Sequence, residues 1–214
     1  MKNPIGFSVL AFALITSGPV FAAAPGYRIV SDVAFLATDR EEKLDLYLPT
    51  TATGGPRAAV VWIHGGGWTG GDKAGPREKE ICGVLADAGY VVASVNYRLG
   101  DGAWAGNLMD CKNAVRFMRA KAAEYDVDPD RIAIGGGSAG AHLALLVAFT
   151  ARLNNFEPSD SATLHIGAGS EVRCVLDLYG PTSLLSREAT DDMGRPLGRR
   201  RPAANSMAAF GVPN

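Results

Sequence analysis

The chain has 214 residues, of which 47% are hydrophobic, so it can bury one sizeable core and has neither a disordered nor a fibrous composition. Its formal net charge of −1 gives no electrostatic reason to expect nucleic acid or an anionic membrane surface as a partner. A small neutral substrate fits this charge balance better.

Residues 1–24 have the pattern of a cleaved secretory signal peptide. Lys2 precedes an apolar stretch from Phe7 to Ile15, and the small residues Ala22, Ala23 and Ala24 follow where a signal peptidase would cut. The apolar stretch is shorter than the roughly 20 residues that span a bilayer, so no stable membrane anchor is expected. The sequence therefore predicts a secreted or periplasmic protein.

Residues 25–186 alternate between apolar strands and helices. Ile29–Leu36 and Leu44–Leu48 predict two strands that open the domain as an antiparallel pair. The later predicted elements are, in chain order, strand Ala58–Ile63, helix Glu78–Ala88, strand Val91–Val95, helix Asn107–Tyr125, strand Ile132–Ile134, helix Ala139–Ala151 and strand Val172–Leu178. This order predicts an α/β fold with a mostly parallel sheet and helices on both faces.

The segment from Gly135 to Gly140 ends one apolar strand and opens an apolar helix. It contains the pattern G-x-S-x-G at Gly136, Ser138 and Gly140, which is the pattern of a nucleophile elbow. A serine on such a turn projects its hydroxyl out of the fold, beside the unpaired N–H groups of the helix that follows. Ser138 is therefore the candidate nucleophile.

A second glycine-rich segment, His64-Gly65-Gly66-Gly67-Trp68, ends the strand Ala58–Ile63. A glycine loop at a strand end can turn its bare N–H groups toward a developing oxyanion. The two motifs, each after a buried strand and in this order, predict a serine hydrolase.

The chain resembles the α/β-hydrolase superfamily, specifically the carboxylesterases of its hormone-sensitive-lipase and BD-FAE (feruloyl-esterase-like) branches. The stretches that carry the resemblance are His64–Trp68, Asn96–Leu99, Asp128–Ile132, Gly135–Ala144 and Tyr179–Thr182. The resemblance implies an α/β-hydrolase fold, a small-molecule ester substrate and Ser138 as nucleophile. It also implies that Gly66, Gly67 and Ala139 supply the oxyanion-hole amides.

The triad partners of Ser138 are harder to find. In this fold the acid and then the histidine follow the serine in chain order. His165 alone lies clearly beyond the elbow helix, and with Asp160 it has the right order, but both come earlier than the family pattern requires. We expect His64 and His142 to have structural roles.

The C-terminal part of the sequence suggests a truncated or frame-disrupted esterase. If the sheet ends at Val172–Leu178, a nearly all-apolar strand becomes an edge, and Asp177 within it has no histidine after it. Residues 187–214 hold five arginines against three acids and no periodic pattern, as in an irregular tail or a lid remnant. We therefore expect weak or no activity from this chain.

Two other functions stay open: a non-catalytic α/β-hydrolase-like binding protein, and a dinucleotide-binding oxidoreductase. Two G-x-G-x-x-G matches, at Gly65/Gly67/Gly70 and Gly135/Gly137/Gly140, favour the oxidoreductase, but the acid required about 20 residues later is missing. The three histidines and three cysteines have no zinc-type spacing, and we expect no cofactor or metal and buried free thiols. The sequence leaves the oligomeric state and the ester open.

Overall fold

The structure, a computed structural model, describes residues 25–37, 39–153, 164–165 and 167–182. Strands and helices alternate along this part of the chain. The strands are β1 (Tyr27–Val33), β2 (Leu44–Pro49), β3 (Arg57–Ile63), β4 (Val91–Val95), β5 (Val127–Gly137) and β6 (Val175–Leu178). The helices are α1 (Pro76–Asp87), α2 (Gly106–Ala120) and α3 (Ala139–Thr150).

The described strands form one mixed sheet in the order β1-β2-β4-β3-β5-β6. The pairs β1/β2 and β2/β4 are antiparallel. The pairs β4/β3, β3/β5 and β5/β6 are parallel, so the carboxyl ends of these four strands lie along the same edge of the sheet. The predicted antiparallel opening pair and the mostly parallel sheet are both confirmed.

Helices cover both faces of the sheet, as predicted, because successive side chains along a strand point to opposite faces. On one face, Val60 and Trp62 of β3 pack in a cluster with Cys82 of α1. On the other face, Val61 of β3 packs in the larger cluster with Leu143 of α3 and with residues of α2. The central strands are thus buried on both sides, which explains their continuous apolar runs.

The last described strand differs from its prediction. β6 begins at Val175 instead of Val172, and its side chains are half-buried or exposed. The reason is that β6 pairs with β5 alone within the described residues. The expectation of buried thiols is confirmed at Cys82 and Cys111. It is wrong at Cys174, which directly precedes β6 and is exposed for the same reason.

Residues 1–24 and 187–214 lie outside the described residues, so the signal peptide and the irregular tail stay predictions. Within the parts of the chain that the structure describes, none of the helices has the length and apolarity needed to cross a bilayer.

Candidate active site

Ser138 stands at the junction between the end of β5 and the start of α3. Its backbone angles are φ 55° and ψ −119°, a left-handed conformation that a side chain other than glycine rarely adopts. Such strain concentrates at functional sites, where the surrounding structure holds it in place. The residue is half-buried, so its side chain lies at the surface of the fold instead of within the core.

The glycine two residues after the serine lets the elbow approach the neighbouring strand. A Cβ added to Gly140 would clash with the backbone oxygens of Ile63 and His64 at the end of β3. No side chain larger than hydrogen fits there without moving the backbone. The G-x-S-x-G spacing therefore reflects close packing between α3 and β3.

The backbone of Ser138 is fixed on both sides. Its N–H donates to the carbonyl oxygen of Leu178 in β6 at 2.9 Å, and its own carbonyl oxygen accepts the N–H of His142 at 3.1 Å. The N–H of Ser138 is therefore already used in a hydrogen bond to the sheet. Other N–H groups must bind any charge that develops near its hydroxyl.

The glycine-rich loop after β3 lies directly against the elbow. A Cβ built on Gly65 would lie 3.5 Å from the Cβ of Ser138 and 2.8 Å from the carbonyl oxygen of Gly137. Gly66 then turns the chain with a φ of 122°, and Gly67 follows with a φ of 62°. The two motifs that the sequence singles out thus meet in space.

Three backbone N–H groups of the two motifs have no hydrogen-bond acceptor among the described residues. Among the described residues, the N–H groups of Gly66, Gly67 and Ala139 donate to no backbone or side-chain acceptor. Ala139 is also the first residue of α3, where the helix dipole favours negative charge. Backbone donors of this kind can stabilise an oxyanion next to a reacting serine.

The far end of the glycine-rich loop is held by charged side chains. The Asp72 carboxylate accepts hydrogen bonds from Asn96 Nδ2 at 2.9 Å and from the Ala74 N–H at 2.7 Å. Burial by itself would raise the pKa of Asp72, but these hydrogen bonds outweigh it and hold the pKa below its usual value. The ionised carboxylate therefore anchors the loop to the end of β4.

The next residue, Lys73, adds an ion-pair network in which Lys73 and Asp45 are buried and Asp32 is exposed. Its ammonium lies 2.8 Å from the Asp32 carboxylate and 2.9 Å from that of Asp45. Burial would lower the pKa of Lys73, and the two carboxylates raise it above its usual value, so the charge is retained. The loop is thereby tied to β1 and β2 on the far side of the sheet.

A second anchor runs through Arg98 in the segment after β4. The buried carboxylate of Asp110 in α2 accepts the backbone N–H of Arg98 at 3.0 Å and two guanidinium N–H groups at 2.9 Å each. Arg40 also donates to it at 3.0 Å. Two residues further on, the Gly100 N–H donates to the carbonyl oxygen of Trp68 at 2.9 Å, which holds the last residue of the glycine motif.

His64 lies beneath the loop and has a structural role, as expected. Its side chain is buried, Nδ1 lies 2.7 Å from the carbonyl oxygen of Gly65, and its ring stacks on Tyr97 with centroids 4.4 Å apart. Burial lowers the pKa of His64 below 6.5. The neutral ring then carries its proton on Nδ1 and donates it to the Gly65 oxygen.

The other two histidines contact aromatic rings. The His142 ring meets Trp68 edge-on at 5.4 Å, and the His165 ring lies 5.9 Å from that of Phe117. Burial lowers the pKa of both imidazoles. Asp160 lies outside the described residues, so the sequence-based grouping of Ser138, Asp160 and His165 stays a prediction.

Tyr179, which follows β6, also lies at the elbow. It has a φ of 51°, is 63% exposed, and places its hydroxyl oxygen 2.9 Å from where a side chain on Gly137 would begin. Arg77 donates to that oxygen at 2.7 Å. The sequence hints at Tyr179, since a turn after a parallel strand falls at the same sheet edge as Ser138, but nothing in it singles out Arg77.

Asp177 stabilises the turn that carries Tyr179. Its Oδ1 accepts the N–H of Gly180 at 2.8 Å, a contact within the turn itself. Gly180 in turn packs on the first turn of α3, where an added Cβ would lie 2.9 Å from the Cβ of Ala141. The turn is therefore fixed against the helix that begins after Ser138.

An open cleft of about 800 Å³ lies at the amino ends of β3 and β5, away from this junction. Its lining includes Ala59, Arg119, Arg173 and Cys174 and no residue of the elbow or of the glycine-rich loop. The strained serine and the three N–H groups without an acceptor therefore lie outside this cleft.

Sequence comparison gives a family for the chain. The BD-FAE family profile matches residues 44–209. Esterase LipQ of Mycobacterium tuberculosis is 32% identical over 169 residues, which are 78% of this chain and 39% of that protein. The chain spans between 34% and 39% of the length of three of the curated relatives that it matches.

Solved structures agree with this result. A truncated form of a carbohydrate esterase from gut microbiota has a TM-score of 0.70 and 27% identity, over 88% of this chain and 67% of that chain. The butyrate-bound esterase Est2 of Thermogutta terrifontis has a TM-score of 0.60 and 29% identity, over 88% of this chain and 64% of its own.

Proposed function

The chain belongs to the BD-FAE family of α/β-hydrolase esterases, and from this membership we propose that it hydrolyses small carboxylic esters through a covalent acyl-enzyme on Ser138. One observation carries the proposal. The strained Ser138 lies so close to the glycine-rich loop that a Cβ added to Gly65 would contact it, and three N–H groups of the two motifs have no acceptor among the described residues.

The proposed reaction follows from this arrangement. Ser138 Oγ attacks the ester carbonyl carbon while a base takes its proton, and the carbonyl oxygen becomes a tetrahedral oxyanion. The N–H groups of Gly66, Gly67 and Ala139 stabilise that oxyanion. Collapse of the intermediate expels the alcohol, and water then hydrolyses the acyl-enzyme. A single oxyanion donor contributes about 10²- to 10³-fold to kcat in serine hydrolases.

We also propose that turnover by these 214 residues is weak. The sequence holds three histidines, and the ring of each contacts an aromatic ring: His64 stacks on Tyr97, His142 meets Trp68 and His165 meets Phe117. A serine hydrolase without its base keeps about 10³- to 10⁴-fold acceleration over water from its oxyanion hole and binding alone.

The butyrate-bound relative supports a short acyl group, so p-nitrophenyl butyrate is the first substrate to test. We expect hydrolysis above a Ser138→Ala control and labelling of the protein by a fluorophosphonate probe. Ser138→Ala abolishes the labelling because it removes the attacking oxygen. Ser31→Ala, at an exposed serine of β1, serves as the matched control and keeps it.

Two results would contradict this proposal. Labelling that persists in Ser138→Ala would place the nucleophile elsewhere. A folded wild-type protein that is neither labelled nor active would favour a non-catalytic binding protein with this fold.

A further inference from the structure

Two residues near Ser138 break local structural rules. Arg77 is the second residue of α1, in the first helical turn, where the helix dipole favours an acid over a cation. Tyr179 adopts a φ of 51°, which is an outlier for a bulky side chain. Where local preferences are violated without a structural gain, a functional reason is the first to examine.

The two residues contact each other although they lie 102 positions apart in the chain. Arg77 Nη1 donates to the Tyr179 hydroxyl oxygen at 2.7 Å, and the guanidinium carbon lies 6.0 Å from the centroid of the tyrosine ring. Both side chains are exposed. An ion pair or a buried core would explain such a contact, but here neither is present among the described residues.

The pair keeps hydrogen-bond donors available. The Tyr179 oxygen accepts from Arg77, so its own proton is left to donate. Arg77 uses Nη1 on the tyrosine, and its Nε and Nη2 groups have no acceptor among the described residues. The pair therefore presents a fixed positive charge, a phenolic O–H and a guanidinium edge, which is the chemistry that binds a carboxylate.

The position of the pair relates it to the nucleophile. The Tyr179 hydroxyl occupies the space that a side chain on Gly137, directly before Ser138, would fill. Tyr179 follows β6, on one side of β5, while the glycine-rich loop follows β3, on the other side. An ester whose carbonyl group is bound by the loop can therefore place another part of the same molecule near the pair.

We propose that Arg77 and Tyr179 form an anion-binding subsite that selects ester substrates carrying a carboxylate close to the scissile bond. This inference rests on the proposed ester hydrolysis at Ser138, and it names the substrate class of that site.

The test measures binding to the Ser138→Ala protein, so that turnover plays no part. The probes are monomethyl succinate, which is a monoanion at neutral pH, and its neutral counterpart dimethyl succinate, both followed by NMR titration. At low salt we expect monomethyl succinate to bind about fivefold more tightly than dimethyl succinate. The difference is small because solvent screens the charges at this exposed site. Added salt should weaken this preference.

Variants of the pair should remove the preference. Arg77→Gln abolishes it, Arg77→Lys keeps part of it because the charge remains without the planar fork, and Tyr179→Phe reduces it. Lys79→Gln, at another exposed cation of α1, is the matched control and leaves the preference unchanged. Circular dichroism spectra and melting temperatures establish that each variant is folded.

The subsite is overturned if the two esters bind equally, if neither binds at millimolar concentrations, or if the preference survives Arg77→Gln. The ester-hydrolase proposal fails separately, through loss of fluorophosphonate labelling in the wild-type protein. An anion preference without labelling would support the subsite alone.

Discussion

We expect position 65 to control the distance between the proposed oxyanion donors and Ser138. Its φ is not in the left-handed region, so alanine fits the backbone there, but the new Cβ would lie 2.8 Å from the Gly137 oxygen. We expect Gly65→Ala to push the loop away from the elbow and to slow p-nitrophenyl butyrate hydrolysis by about 10²-fold, the effect of one lost oxyanion donor.

Gly70→Ala is the control in the same loop, because its added Cβ meets its nearest neighbour, the Gly66 oxygen, at 3.9 Å. It should retain the wild-type rate. Equal rates for the two variants would show that the approach of position 65 to Ser138 does not matter for the reaction.

His64 couples the stability of the loop region to pH. Burial lowers its pKa in the folded protein below 6.5, although Gly65, Glu78 and Asp72 partly oppose this. The unfolded chain therefore binds the proton more readily, and the free energy of unfolding decreases as pH falls below about 6.5. Because His142 and His165 shift in the same direction, the wild-type slope contains all three contributions.

We expect His64→Asn to reduce the loss of stability between pH 7.5 and 5.5, measured by urea unfolding at several pH values. His165→Gln, at a less buried imidazole, should reduce it by a smaller amount. If His64→Asn has the same pH dependence as the wild type, the His64 imidazole takes up its proton over the same pH range in the folded and the unfolded protein, and the expectation is wrong.

At the scale of whole elements, α2 supports the site through a single carboxylate. Asp110 is fully buried and accepts hydrogen bonds from both Arg98 and Arg40. Asp110→Asn removes the charge while its two cationic partners remain, so we expect a loss of about 3 kcal/mol in the free energy of unfolding. The segment from Arg98 to Gly100 should also loosen, and with it the contact to Trp68.

Chemical unfolding and the rate of fluorophosphonate labelling measure the two effects. Asp128→Asn is the matched control, because its pair with Arg131 lies at the surface and should contribute little. A fall in stability without slower labelling would separate this ion-pair network from the geometry of the loop.

The elements that the sequence predicted well are those whose burial leaves a local pattern. β3 and β4 are continuous apolar runs because they lie in the middle of the sheet, and the start of α3 follows from the glycine pattern around Ser138. β6 was predicted as a strand because its sequence is apolar, but its later start and its partial burial depend on neighbouring strands that local sequence does not report.

Contacts between distant positions were beyond prediction for the same reason. The elbow pattern identified Ser138 as the candidate nucleophile, and the family resemblance implied Gly66, Gly67 and Ala139 as oxyanion donors. That the two glycine motifs meet depends on β3 and β5 being parallel neighbours in the sheet. The contact between Arg77 and Tyr179 depends on where α1 begins relative to β6, and no periodicity encodes it.

For the whole molecule, the prediction to test is that the protein is exported from the cytoplasm. We propose that residues 1–24 direct the chain to the periplasm or the medium and are removed. Expression in a bacterial host, followed by fractionation and intact-mass measurement, should find a protein outside the cytoplasm that lacks these residues. A variant without residues 2–24 should stay inside, and a full-length exported mass would contradict cleavage.

The hydrogen bond from the Ser138 amide to Leu178 joins the elbow to β6, a partly buried strand that pairs with β5 alone among the described residues. On warming, the edge of a sheet frays before its centre, so this tether is released while β3, β4 and β5 are still paired. Loss of serine reactivity would then precede the main melting transition. The thermal limit of the catalyst is in that case set by a four-residue strand and not by the core.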